Sequence, residues 1–243
     1  GVEKMIERLQ VQENRDRIVK ELQTGIPGWQ CFYQMAGGWD GVVLASVMTE
    51  ANKYTEGKTV AEVAEICGED PFDTFFRLLI EEKSKIQVVV HTQGQEDTDK
   101  VACHPKTCFG SDSMDLSTEG LLSIGKPHPR AFGTFGKVFS YYVREKGMLT
   151  FEDAVRKMTY LSAKRLGIAE ERGLLKKDYY ADIVVFDPDT ICDKATYDDP
   201  KQYTVGVEYV LVNGQIALEN GKQTDVCAGR VIRNPHRFGC QAK

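Results

Sequence analysis

The 243-residue sequence has no apolar run of the roughly 18 residues that a membrane-spanning helix needs. It has no surplus of positive charge. Lys and Arg number 31 against 36 Asp and Glu, a net charge of −5, so no bulk field draws it to nucleic acid. The opening stretch GVEKMIERLQ lacks the apolar core and cleavage site of a secretory leader. His-x-His, His-Glu-x-x-His and Cys-x-x-Cys, the spacings that bring metal ligands together, do not occur. There are no internal repeats and no low-complexity tracts. An initiator Met is missing as well, and the chain is expected to be a piece of something longer.

What is present fits a folded globular chain. Apolar residues are 42% and charged residues 28%, enough burial to offset the entropy of ordering. The seven cysteines are odd in number and scattered, which suits reduced thiols in a cytoplasmic protein.

Val2, Met5, Ile6 and Leu9 recur at helical spacing, and Ile18, Val19 and Leu22 resume it. Gly25-Ile-Pro-Gly28 breaks the pattern, and Val42–Ala45 reads as a buried strand. Thr59 with Glu62 predicts a capping box. Asp70-Pro71 predicts a second capped helix, with Phe72, Phe75, Phe76, Leu79 and Ile80 on one face. Ile86–Val90 reads as a strand, 95–103 as a short helix, and Thr107–Ser111 as a strand-like run. Residues 112–131 form a long loop, where function tends to sit. Two helices follow. The second is capped by a Thr150/Asp153 box and stopped by Gly167. Beyond it come strands at 182–186 and 207–212, the hairpin signal Asn213-Gly214, a return at 215–218, a turn at Asn220-Gly221, and a closing run at 226–232. A boundary is placed near 168, with α/β structure before it and antiparallel β after it.

Two places offer chemistry. Phe109-Gly-Ser-Asp-Ser113 sets a lone carboxylate, Asp112, at the end of a small apolar run. In α/β barrels such a rim position holds catalytic groups, and an aspartate there can move a water proton. A turn or cap residue is the plainer alternative. His128-Pro-Arg130 follows in the same loop, and the planar fork of Arg130 suits a carboxylate, or is simply a surface arginine. Cys103, His104 and Cys108 with His128 make a poor zinc set, because the fourth ligand lies far along the chain.

These stretches, taken together, resemble the N-acyl-D-amino-acid deacylases (D-aminoacylases) of the amidohydrolase superfamily, in their C-terminal portion. The match runs through Gly37-Gly-Trp-Asp40, His104-Pro105, Gly110-Ser-Asp-Ser113 and His128-Pro-Arg-Ala-Phe-Gly-Thr-Phe135. It continues through the helix ending Ala163-Lys-Arg-Leu-Gly167, then Ala181-Asp-Ile-Val-Val-Phe-Asp187 and Tyr209-Val-Leu-Val-Asn-Gly214. The tail stretches are shared across the superfamily, whereas the Gly-Ser-Asp-Ser, His-Pro-Arg-Ala-Phe-Gly-Thr-Phe and Gly-Gly-Trp-Asp stretches are more selective and point to the D-aminoacylase branch.

The resemblance implies an α/β fold. Residues 1–167 would be part of a TIM-type barrel with a helical insertion over about 1–85, and 168–243 part of a small β-sandwich. It implies hydrolysis of N-acyl-D-amino acids by a zinc-activated water, with Asp112 as proton shuttle and candidate metal ligand. Arg130, His128 and Ser113 would bind the substrate. The family's other zinc ligands lie on earlier strands and have no matching positions here. An inactive or complementing fragment, which would associate with itself or with a missing N-terminal half, is therefore one alternative. A sister hydrolase of cyclic amides (hydantoinase or dihydroorotase type) is the other. No nucleic-acid or membrane partner is expected.

Overall fold

A computed structural model describes residues 1–233. The chain is mixed α/β and divides into two compact units: Gly1–Gly94 with Glu119–His128 and Thr196–Pro200, and Gln95–Thr118 with Pro129–Ala195 and the residues from Lys201 on.

In the first unit, α1 (Val2–Leu9) and α2 (Gln12–Thr24) are followed by a single turn, α3 (Phe32–Met35). Strand β1 (Val42–Ser46) comes next, then α4 (Val60–Cys67), α5 (Pro71–Glu81) and β2 (Gln87–Val90). The helix starts are where the capping residues predict them. Thr59 accepts from the Glu62 amide while the Glu62 carboxylate accepts from the Thr59 amide, and Asp70 accepts from the Phe72 amide. The apolar face of α5 then meets β1. Leu44, Val60, Val63, Phe76 and Leu78 are buried in one core with Trp39 and Phe72. Trp39 packs edge-on to Phe72 at 5.2 Å between ring centres. β1 pairs β2 antiparallel, Val42 opposite Val90.

The second unit holds α6 (Gln95–Cys103), α7 (Arg130–Lys137), a π-helical continuation (Val138–Glu145), α8 (Phe151–Met158) and α9 (Tyr160–Leu166). Its sheet is an antiparallel meander in the order β3 (Ile183–Phe186), β4 (Val207–Val212), β5 (Gln215–Glu219) and β6 (Lys222–Gln223). Asn213-Gly214 makes the tight turn between β4 and β5, with φ of +49° and +81°. Val138, Phe139, Ala154 and Ile191 form the core.

Four expectations need correcting. Thr107–Ser111 is not a strand, because Thr107 folds back on the end of α6, its hydroxyl donating to Val101 and His104 carbonyls. Val226–Ile232 is not a strand either. The Ala228 carbonyl is taken by the Asn213 side chain at 2.6 Å instead of a neighbouring strand. The Thr150 cap is half a box: Thr150 accepts from the Asp153 amide, but the Asp153 carboxylate turns to Arg156. The helix after it also breaks at Thr159 before α9 ends at Gly167, φ +78°. Among the described residues every paired strand is antiparallel. His236 and Cys240 lie outside the described residues.

Candidate functional site

The second unit brings together two of the residues singled out above. Arg130 is the first residue of α7, and Asp112 lies in the loop after α6. Arg130 Nη2 donates to Asp112 Oδ2 at 2.7 Å. Asp112 has φ +48°, a left-handed conformation that Asp tolerates better than most residues. Its side chain is 85% exposed and that of Arg130 46%. The carboxylate therefore stands in solvent but beside its arginine. A surface ion pair of this kind contributes about 0–1 kcal/mol, so a competing carboxylate can separate the two groups.

The loop is anchored just before Asp112. Phe109 packs against Tyr142 of the π-helical segment at 5.9 Å and against the Lys157 ammonium at 5.8 Å. Burial, with the Asp99 carboxylate adding to it, pushes the Tyr142 phenol up to about 12, which removes it as an acid or base near neutral pH. Ser113 is exposed and donates to the Met114 carbonyl at 3.0 Å.

His128 belongs to the first unit. There the Tyr197 hydroxyl and His128 Nε2 share a 3.0 Å hydrogen bond, with the rings edge-on at 5.1 Å. His91 meets the same tyrosine at 4.9 Å. Tyr197 and His91 carry no local motif, and only the fold joins residues so distant in sequence. A charged groove of about 430 Å³ also lies in the first unit, between Arg15, Asp73 and Arg77.

Zinc finds no home among these groups. Among the described residues no three His, Cys, Asp or Glu side chains form a cluster that could hold a metal ion. His104 Nδ1 instead accepts from the Lys106 amide at 3.3 Å, and Cys103 and Cys108 are free thiols. Among the described residues, too, no helix is long and apolar enough to cross a membrane.

The sequence model of the amidohydrolase family matches residues 45–218. The chain belongs to the amidohydrolase family. It is 34% identical over 197 residues to a D-aminoacylase of Alcaligenes xylosoxydans xylosoxydans, covering 79% of this chain and 38% of that one. A solved D-aminoacylase, studied for its binuclear metal centre, superposes with a TM-score of 0.66 at 33% identity, over 78% of this chain and 37% of the other. The N-acyl-D-glutamate deacylase of Bordetella bronchiseptica, solved with zinc and a phosphonate mimic of the tetrahedral intermediate, gives 0.65 at 34% identity, over 76% and 36%. The chain thus spans little more than a third of the length of these relatives.

Proposed function

We propose that this chain carries the proton-transfer and carboxylate-binding side of an N-acyl-D-amino-acid deacylase. The observation behind this reading is the Arg130–Asp112 pair at 2.7 Å, formed between two of the sequence stretches that resemble the family selectively. In the reaction, water adds to the amide carbonyl and the C–N bond breaks, leaving a carboxylate and a free D-amino acid. Asp112 takes a proton from the attacking water and delivers it to the departing nitrogen. Arg130 forms a two-pronged contact with the substrate α-carboxylate, which displaces Asp112 from the guanidinium and frees it for proton transfer. Ser113 and His128 line the substrate. Residues 1–233 hold no cluster suited to the zinc that relatives contain, so the chain alone is expected not to turn over.

Residues 1–167 are read as the barrel portion with its helical insertion, and 168–243 as the sandwich portion. The support is the similarity to D-aminoacylase structures. The six described cysteines, all free thiols, agree with a reducing cytoplasm. A second reading, a non-catalytic or complementing fragment, draws on the missing metal cluster and on the short span of the relatives covered.

The test uses the chain expressed with the sequence that flanks it in its gene. Release of amine from N-acetyl-D-amino acids should exceed opening of hydantoins, the substrates of a cyclic-amide hydrolase. Arg130→Met should raise KM about tenfold or more for substrates with a free α-carboxylate, and leave the α-carboxamide analogues unchanged. Equal effects on both substrate series would remove Arg130 from the site.

A further inference from the structure

Lys157 of α8 is a charged side chain in the core, 1% exposed. Its ammonium donates to the carbonyls of Ala102 at 2.7 Å and His104 at 2.5 Å, and to the Thr107 hydroxyl at 3.1 Å. The Thr107 carbonyl stands at 3.4 Å. Burial, with Arg156 adding to it, lowers its proton affinity from the ordinary lysine range. A buried ammonium is costly unless its N–H groups are satisfied, and here the acceptors belong to one short stretch at and just after the end of α6. That helix end presents carbonyls without helical partners, where a cation fits best.

The stretch leads directly to the candidate site. Thr107 is fixed by the ammonium, and Phe109 is fixed by the same ammonium and by Tyr142. Asp112 follows three residues later. Arg130 is tied to α8 without the ammonium. Its helix α7 runs on into the π-helical segment, where Val138 and Phe139 share a core with Ala154 of α8. Phe109 packs on that core too, so the two halves of the ion pair share one attachment to α8, and the ammonium of Lys157 is the further contact that serves the Asp112 loop.

We infer that Lys157 is a positioning residue for Asp112, setting the loop that carries it without touching substrate. This rests on the reading of Asp112 as the proton-transfer group. Two features argue against a purely scaffolding role. An apolar side chain of similar length would fill the same space without a desolvated charge. In addition, all of its hydrogen bonds go to the one segment that leads to Asp112.

The test is backbone amide hydrogen exchange on the full chain, with Lys157→Met. Exchange should rise about tenfold or more at residues 107–113, while the amides of β4 and β5 in the same unit change less than twofold. If Lys157→Met does not fold, Thr107→Val replaces it. This removes one acceptor and leaves the ammonium in place, and the same local rise, smaller in size, is expected. Uniform acceleration across the unit, or none at 107–113, would overturn the assignment.

With the flanking sequence present, Lys157→Met should lower kcat about tenfold or more and leave KM for N-acetyl-D-amino acids within twofold, since the core contacts of Val138 and Phe139 that carry Arg130 do not involve the ammonium. A rise in KM with unchanged kcat would also overturn the assignment. Failure of the parent reading looks different: Asp112→Asn would retain full turnover, whatever the exchange pattern of the Lys157 variant.

Discussion

Glu82, 2% exposed, is another buried charge with a clear purpose. Its carboxylate accepts from the Met48 amide at 2.6 Å, the Thr49 amide at 2.9 Å, the Asn52 side chain at 2.7 Å and the Thr49 hydroxyl. Burial alone would raise its pKa, but the hydrogen bonds from Thr49, Asn52 and Met48 outweigh it and hold the group below the usual range. A folded-state pKa below the unfolded one gives stability that is present above the unfolded value and lost as pH falls through the folded one. The first unit should therefore lose stability in acid, below about pH 4. Glu82→Gln should cost about 2 kcal/mol at neutral pH and flatten that acid limb, as read by thermal melts from pH 3 to 7. At this scale the sequence was only partly legible. Caps such as Thr59 and Asp70 bond to their own neighbours, so local spacing reveals them. Lys157 and Glu82 bond to segments 50 and 33 residues away, and nothing near them in sequence signals it.

At the scale of elements, the β4–β5 hairpin shows what short-range chemistry can specify. Asn213-Gly214 takes the left-handed conformations that its turn demands. The same asparagine also links three parts of the unit: its amide donates to Asp182 Oδ1 at 2.8 Å, its Oδ1 accepts from Arg172 at 2.7 Å, and its Nδ2 donates to the Ala228 carbonyl. Arg172 in turn donates to Asp182 and stacks on Tyr180 at 4.2 Å. Asn213→Ala should lower stability by about 2 kcal/mol, against about 1 kcal/mol for Gly214→Ala, where only backbone strain is added. Urea midpoints of the two variants would check the order. Strands that pair through such turns were readable, and so were the helices with an apolar stripe. Thr107–Ser111 and Val226–Ile232 were misread because apolar content suggests a strand only where an unpaired partner edge awaits it. In those stretches the Thr107 carbonyl faces the Lys157 ammonium and the Ala228 carbonyl accepts from the Asn213 side chain.

At the scale of the whole molecule, the chain leaves large apolar side chains in water, among them Trp29 at 72% and Leu121 at 95% exposure. Among the described residues no further strand pairs with β2 or β3 at the outer edges of their sheets. Isolated, it should self-associate at micromolar concentration in sedimentation, and a monodisperse monomer would contradict that. The mixed α/β character and the family were legible because whole stretches match. The meeting of His91, Tyr197 and His128 was not, since it depends on chain folding over more than a hundred residues. The central claim, that Asp112 moves the proton, is tested most directly by the turnover number of Asp112→Asn on N-acetyl-D-amino acids. The measurement is made with the flanking sequence present and metal content determined on the same sample. A fall of about a hundredfold or more at unchanged metal content is predicted; turnover within twofold of the parent protein would contradict it.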